Sequence, residues 1–287
     1  MKTIIYLIIA CLFCLTLSYS CQKSSDGKKG VILQTTDTKV SSQLLTQSAK
    51  IIANRLKTYG VESFDINIHA DKGQIEVQMP DTVNLSEIEG LLKSKGELAF
   101  YETYNREEIS DLLKNNTHLF ELLKNVITLS PSDPRIGCAT SENRILVEDY
   151  LKSNNLISNC RFLWRSKPYH ESFTCLYALK INETGKSLFD RTNVETARAI
   201  IGKDSQTNMI EIKFGPSSVK VWADATRNNI GKSIAIVIDN QVIDAPVVNS
   251  AIENGECTIS GNFTHKEVNY FVALVNEKLP LSFNLLK

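Results

Sequence analysis

The chain has 287 residues, 43% of them hydrophobic, and its 32 lysines and arginines are matched by 32 aspartates and glutamates. That is enough material for two modest domains, or for one with a large insertion, built around real cores. Zero net charge supplies no field to draw in nucleic acid or an acidic membrane surface, so a polymer-phosphate ligand is disfavoured.

Lys2 precedes an apolar stretch, Ile4 to Leu17. A bilayer-spanning helix needs roughly 20 apolar residues, so this shorter run has the layout of a signal-peptide core, and residues 1–20 are assigned to a signal peptide. It runs into Leu17-Ser18-Tyr19-Ser20-Cys21, which looks like a lipobox with Cys21 as the lipidated residue. Ser18 stands where an aliphatic residue is usual. The other readings are an ordinary signal peptide with an incidental Cys21, or an uncleaved anchor. Residues 21–30 are polar and contain Gly and Ser, as a flexible tether between lipid and folded body would. Gln22, in place of the aspartate that holds many lipoproteins at the inner membrane, leans the expected location toward the outer membrane.

Val31 to Gln34 reads as a strand, and Leu44, Leu45, Ile51, Ile52 and Leu56 recur at helical spacing up to Gly60. Phe64, Ile66 and Ile68 alternate, Asp71-Lys72-Gly73 makes a turn, and Ile75, Val77 and Met79 alternate again, which is a hairpin pattern. A short helix around Leu85 to Leu92 and a strand from Leu98 to Tyr101 complete a βαββαβ order over residues 31–104. The expected fold class is therefore α+β, with a ferredoxin-like base.

Residues 105–261 are expected to form an inserted or appended α+β head. It begins with a helical stretch from Ile109 to Leu123, the Pro131/Pro134 loop, and a helix through Ile145, Leu146, Tyr150 and Leu151. Arg161 to Trp164 and Leu176 to Leu179 then read as a hairpin about Lys167-Pro168. Alternating Ile210, Ile212 and Phe214 precede a helix through Val219, Trp222, Ala223 and Thr226. Ile234 to Ile238 is a buried strand turned by Asp239-Asn240-Gln241 into Val242-Ile243, and Cys257 to Ile259 is another short strand. Thr264 and Glu267 stand at capping-box spacing before a helix ended by Pro280. Residues 262–287, this helix and a strand from Leu281 to Leu286, are expected to return to the base.

Seven cysteines are present. Cys11 and Cys14 leave with the signal and Cys21 would carry lipid, so Cys138, Cys160, Cys175 and Cys257 remain, and four thiols permit three pairings. A hairpin about Pro168 would bring Cys160 and Cys175 nearly opposite one another, making a Cys160–Cys175 disulfide the candidate, with buried free thiols as the alternative.

Catalytic and metal-binding patterns are missing. Gly231-Lys232-Ser233 resembles the end of a phosphate loop, but Thr226 occupies the position of the required upstream glycine and a strand follows. His69, His118, His170 and His265 form no local ligand pair, and no Gly-x-Ser-x-Gly elbow occurs. No enzyme activity, cofactor or metal is expected.

The stretch Asn229 to Asp239, continuing through Val242-Ile243-Asp244-Ala245-Pro246, together with Ile259-Ser260-Gly261-Asn262-Phe263-Thr264, resembles the periplasmic domain of the SecD protein-export family. Ile51 to Leu56 with Tyr59-Gly60-Val61, and Ile75 to Pro80, look like that family's first ferredoxin-like unit. Phe162-Leu163-Trp164 and Leu176 to Lys180 look like the middle portion of some fused SecD-SecF proteins. The resemblance implies a non-enzymatic, periplasm-facing envelope lipoprotein without the family's membrane helices, one that binds translocating or unfolded polypeptide beside the Sec translocon. The alternative is a structural lipoprotein that engages one specific envelope partner and has no role in export.

Overall fold

The structure is a computed structural model and describes residues 27–114, 116–123, 127–166, 172–203, 208–260 and 263–286. Cys21 and most of the expected tether lie outside these residues. The first strand, β1 (Lys28–Thr35), starts three residues earlier than its apolar core suggests, so Lys28 to Gly30 are strand and not tether.

Helix α1 (Ser42–Tyr59) begins where the Ser41 side chain accepts from the Leu44 amide. It ends at Gly60, whose φ of 104° is open to glycine at little cost. Strands β2 (Asp65–His69) and β3 (Gln74–Pro80) form the anticipated hairpin, and α2 (Leu85–Lys93) follows. On β3 the buried residues Ile75, Val77 and Met79 alternate with half-buried ones, which puts a single apolar face under α1 and α2.

The strand expected to close this sheet does not. β4 (Leu98–Glu102) pairs with β11 (Ile234–Ile238), and the fourth strand of the base is β14 (Phe283–Leu286), antiparallel to β1 with Ile32 opposite Leu286. The base order is β14-β1-β3-β2. The βαββαβ unit is therefore not contained in residues 31–104: β4 is apolar on both sides, with Phe100 in one core and Tyr101 in another, and belongs in a sheet covered on both faces.

That sheet, β12-β11-β4-β8, also contains β12 (Gln241–Asp244) and β8 (Phe189–Asp190). A second sheet, β13-β10-β9, is built from β9 (Val194–Ile200), β10 (Met209–Phe214) and β13 (Glu256–Ser260). Between them, α6 (Val219–Asn228) inserts Trp222, which stacks on Phe214 at 4.4 Å and meets the edges of Phe100 and Phe189 at 5.4 and 5.3 Å. Helix α7 (His265–Asn276) opens on the anticipated Thr264/Glu267 capping box. It packs against α1 on one side and against β9 and β10 on the other. Base and head consequently share one continuous core. Each fully buried side chain on α7, such as Val268 and Val275, contributes about 1.5–3 kcal/mol to that union.

The segment from Arg106 to Lys180 is a separate layer with its own core, not part of a single head spanning residues 105–261. The expected helix from Ile109 to Leu123 is two helices, α3 (Arg106–Leu112) and α4 (His118–Leu123). They join α5 (Ser141–Ser153) on one face of a sheet ordered β5-β7-β6, formed by β5 (Arg135–Thr140), β6 (Cys160–Trp164) and β7 (Phe173–Lys180). The other face, with Cys138, Cys175, Tyr177 and Leu179, packs on Tyr101, Ala235, Val237 and Val242 of the β4–β11–β12 sheet.

The disulfide is Cys138–Cys175, not Cys160–Cys175. Strands β6 and β7 do form an antiparallel pair, but their register sets Cys160 opposite Lys180, whereas Cys175 lies directly across from Cys138 on β5. Cys160 and Cys257 are free thiols; burial pushes Cys160 up to about 12 and Cys257 up to about 11, away from thiolate chemistry.

Candidate functional site

A groove of about 800 Å³ runs between the base helices, α7, and the β11–β12 hairpin. Its apolar lining comes from Ile210, Ile238, Phe271 and Leu274, which are buried, and from the half-buried Ile243 and Phe263. Charged groups border it: Glu87 from α2, Lys266 from α7, Asp239 and Asp244 from the hairpin, and Arg165 from the end of β6. An apolar trough with a few polar groups at its margins suits an apolar ligand whose polar atoms stay near water.

Three local devices hold the walls in place. The hairpin turn has Asp239 at φ 48° and Asn240 at φ 65°, the pair of left-handed residues that a tight two-residue turn needs. From it the Asp239 carboxylate accepts from the Gly96 and Glu97 amides at 3.1 and 2.8 Å, while Asn240 Oδ1 accepts from Arg161 at 2.9 Å. Base, head and middle layer therefore meet at one turn.

The second device is Arg55, 1% exposed on α1. Its guanidinium donates to the carbonyls of Leu91, Ser94 and Lys95, where α2 ends, and to that of Glu277, where α7 ends. A cation there satisfies carbonyls left over by both helices and meets the negative ends of their dipoles. Burial pulls its pKa down to about 10, opposed by the charges of Asp239 and Glu277, which leaves it cationic at any ordinary pH. Arg191 acts similarly on Val275 and Asn276 at 2.6 and 2.9 Å.

The third is a clasp across one end of the groove. Tyr59, the last residue of α1, donates to Glu87 at 3.0 Å, and Lys266 on the first turn of α7 donates to the same carboxylate oxygen at 2.9 Å. Hydrogen bonds from Lys266 and Tyr59 hold Glu87 below the usual carboxylate range. Burial, and then the bond to Glu87, push Tyr59 up to about 12.

The cysteines singled out in the sequence do not take part: Cys160 and Cys175 lie in the middle layer, away from the groove lining. Among the described residues no cluster of three His, Cys, Asp or Glu could hold a metal ion, and His69 instead contacts Glu76 at 3.1 Å on the base sheet. The groove residues themselves were only partly legible. Phe271, Ile243 and the turn were assigned to elements, but nothing local announces that residues 59, 87, 165, 239 and 266 converge.

Residues 179–280 match the family model of the SecDF P1 head subdomain. The SecD translocase subunit of Rickettsia typhi is 24% identical over 234 residues, covering 82% of this chain and 36% of that protein. The SecD subunit of Elusimicrobium minutum is 27% identical over 229 residues, covering 78% of this chain and 41% of that protein. The chain thus spans well under half the length of these relatives. A crystal structure of SecDF in a super-membrane-facing form superposes with a TM-score of 0.53 at 20% identity, covering 91% of this chain and 30% of the other, and shows a shared fold. The molecule is an α+β protein carrying a P1 head subdomain of the SecDF type. Over most of its length the chain is similar to SecD subunits, and in fold to SecDF.

Proposed function

We infer that the protein is a non-enzymatic envelope lipoprotein, anchored through Cys21 and facing the periplasm, that captures translocating or unfolded polypeptide beside the Sec translocon. The groove carries this reading. Its apolar lining can accept side chains of an extended segment, and the uncommitted polar atoms at its margin, including the Gln241 side chain, can hydrogen-bond a peptide backbone. Among the described residues no helix is long and apolar enough to cross a membrane. In this reading the lipid on Cys21 provides the attachment, with the outer membrane as the preferred location.

The test is photocrosslinking in intact cells with a photoreactive residue in place of Ile243, and with one in place of Asn67 on the base sheet as control. Many exported precursors and translocon subunits should be recovered through position 243 and few through position 67. Recovery of a single envelope protein, or of none, would overturn the reading.

A further inference from the structure

The charges around the groove are not equally available to a ligand. On the wall formed by the base and α7 they are already engaged: Glu87 accepts from Tyr59 and Lys266, and Glu267 accepts from the amide and hydroxyl of Thr264. Asp239, at the hairpin turn, is held by the Gly96 and Glu97 amides. Arg165 and Asp244, on the hairpin wall, differ. Both are half-buried and line the groove, and among the described residues neither the guanidinium nor the carboxylate has a hydrogen-bond or ion-pair partner. They belong to one neighbourhood. Arg165 bridges Val242 in parallel, and the Ser166 amide donates to the Val242 carbonyl at 2.9 Å, two residues before Asp244. Burial raises the Tyr177 hydroxyl, and of the two charges Arg165 acts against that shift and Asp244 with it.

We propose that the groove selects extended segments in which apolar and charged residues alternate, an acidic side chain meeting Arg165 and a basic one meeting Asp244, over uncharged segments of the same length. This deepens the capture reading and rests on it for the occupant being polypeptide. The apolar lining comes from other elements, with Ile210 on β10 and Phe271 and Leu274 on α7. An extended chain turns successive side chains to opposite faces. Every second residue can therefore lie on Ile210, Phe271 and Leu274 while the residues between them reach the hairpin wall. A segment without charge would cover a guanidinium and a carboxylate and pair neither, which costs desolvation with no return. Charge complementarity of this kind sets specificity more than raw affinity.

The test measures fluorescence anisotropy of two labelled peptides of equal length with the full chain in phosphatidylcholine nanodiscs, against empty discs. Leucine stands at every second position of both peptides. One carries glutamate and lysine between the leucines, and the other carries glutamine in their place. The charged peptide is expected to bind about five- to tenfold more tightly at low salt, because partly exposed ion pairs contribute modestly, and the ratio should fall toward unity at high salt. A variant carrying Arg165→Gln and Asp244→Asn, checked for folding by circular dichroism, should bind both peptides alike. Equal affinities in the unmodified protein, or a preference that survives in the folded variant, would overturn the proposal and leave capture standing. If neither peptide binds, the capture reading falls and the proposal falls with it. The comparison in the unmodified protein and its salt dependence decide the matter even where the variant does not fold.

Discussion

Arg55 and Glu277 are separated by 222 positions, yet the guanidinium of one donates to the backbone carbonyl of the other at 2.6 Å. The same side chain holds three carbonyls at the end of α2. Replacing it by methionine keeps much of the volume and strands those acceptors inside the protein. Arg55→Met is expected to lower unfolding free energy by about 3 kcal/mol or more, measured by urea titration. Arg55→Lys should recover only part of this, because an ammonium cannot reproduce the planar fork.

Gly96 is constrained by its closeness to that arginine. It sits at φ 77°, and a Cβ there would come 2.7 Å from Arg55 Nη2 and would overlap the Leu274 carbonyl. Gly185 has nearly the same φ, 74°, but open space around it. Gly96→Ala should therefore cost at least about 2 kcal/mol, against about 1 kcal/mol for Gly185→Ala, where only the backbone is strained. Equal thermal shifts for the two variants would refute the steric account.

Under denaturing, non-reducing conditions, alkylation should mark Cys160 and Cys257 and leave Cys138 and Cys175 unmodified, read by peptide mass mapping. Closing a loop across a separation of 37 residues restricts the unfolded chain by about 4 kcal/mol in the entropic model. Cys138→Ser is expected to lose much of that stability, and Cys160→Ser little.

Tyr59 should ionise late. Its folded pKa is raised to about 12 from an ordinary value of 10.0, so its contribution to stability is whole below pH 10 and is lost as pH rises toward 12. Tyr104, Tyr177 and Tyr270 are also raised by burial, so the readout is the tyrosinate absorbance difference between wild type and Glu87→Gln, in which the Tyr59 titration should move part of the way back toward 10. The groove-end clasp is exposed, so that substitution should change overall stability by less than about 1 kcal/mol.

Local signals identified local structure well. Gly60 and the Thr264/Glu267 pair set helix ends, and Asp239-Asn240 set a turn, because each acts on its own backbone within a few residues. Partner choice was a different matter. The β4 sequence says that both faces are buried but not which strand lies beside it, so its pairing with β11 was missed. The cysteine assignment failed on register: a hairpin turn of unknown length leaves open whether Cys175 faces β6 or β5. On α5, Ile145 and Leu146 carry the apolar pattern that revealed the helix, yet both are exposed and only Val147 is fully buried. The groove was illegible because its walls are brought together by Arg55, Asp239 and Glu87, each acting across long separations.

The pairing of β14 with β1 also bears on the order in which the molecule is finished. Residues 28–35 are among the first of the body to leave the ribosome, but one of their edges has no neighbour until residues 283–286 have been made. The layer from Arg106 to Lys180 draws on contacts within itself and can assemble meanwhile, whereas a pairing of such long sequence separation is slow to form. Throughout synthesis the root of the protein, the part next to Cys21, therefore presents a bare strand edge of the kind that recruits foreign strands. The most distant layers would mature first, and the base would close last.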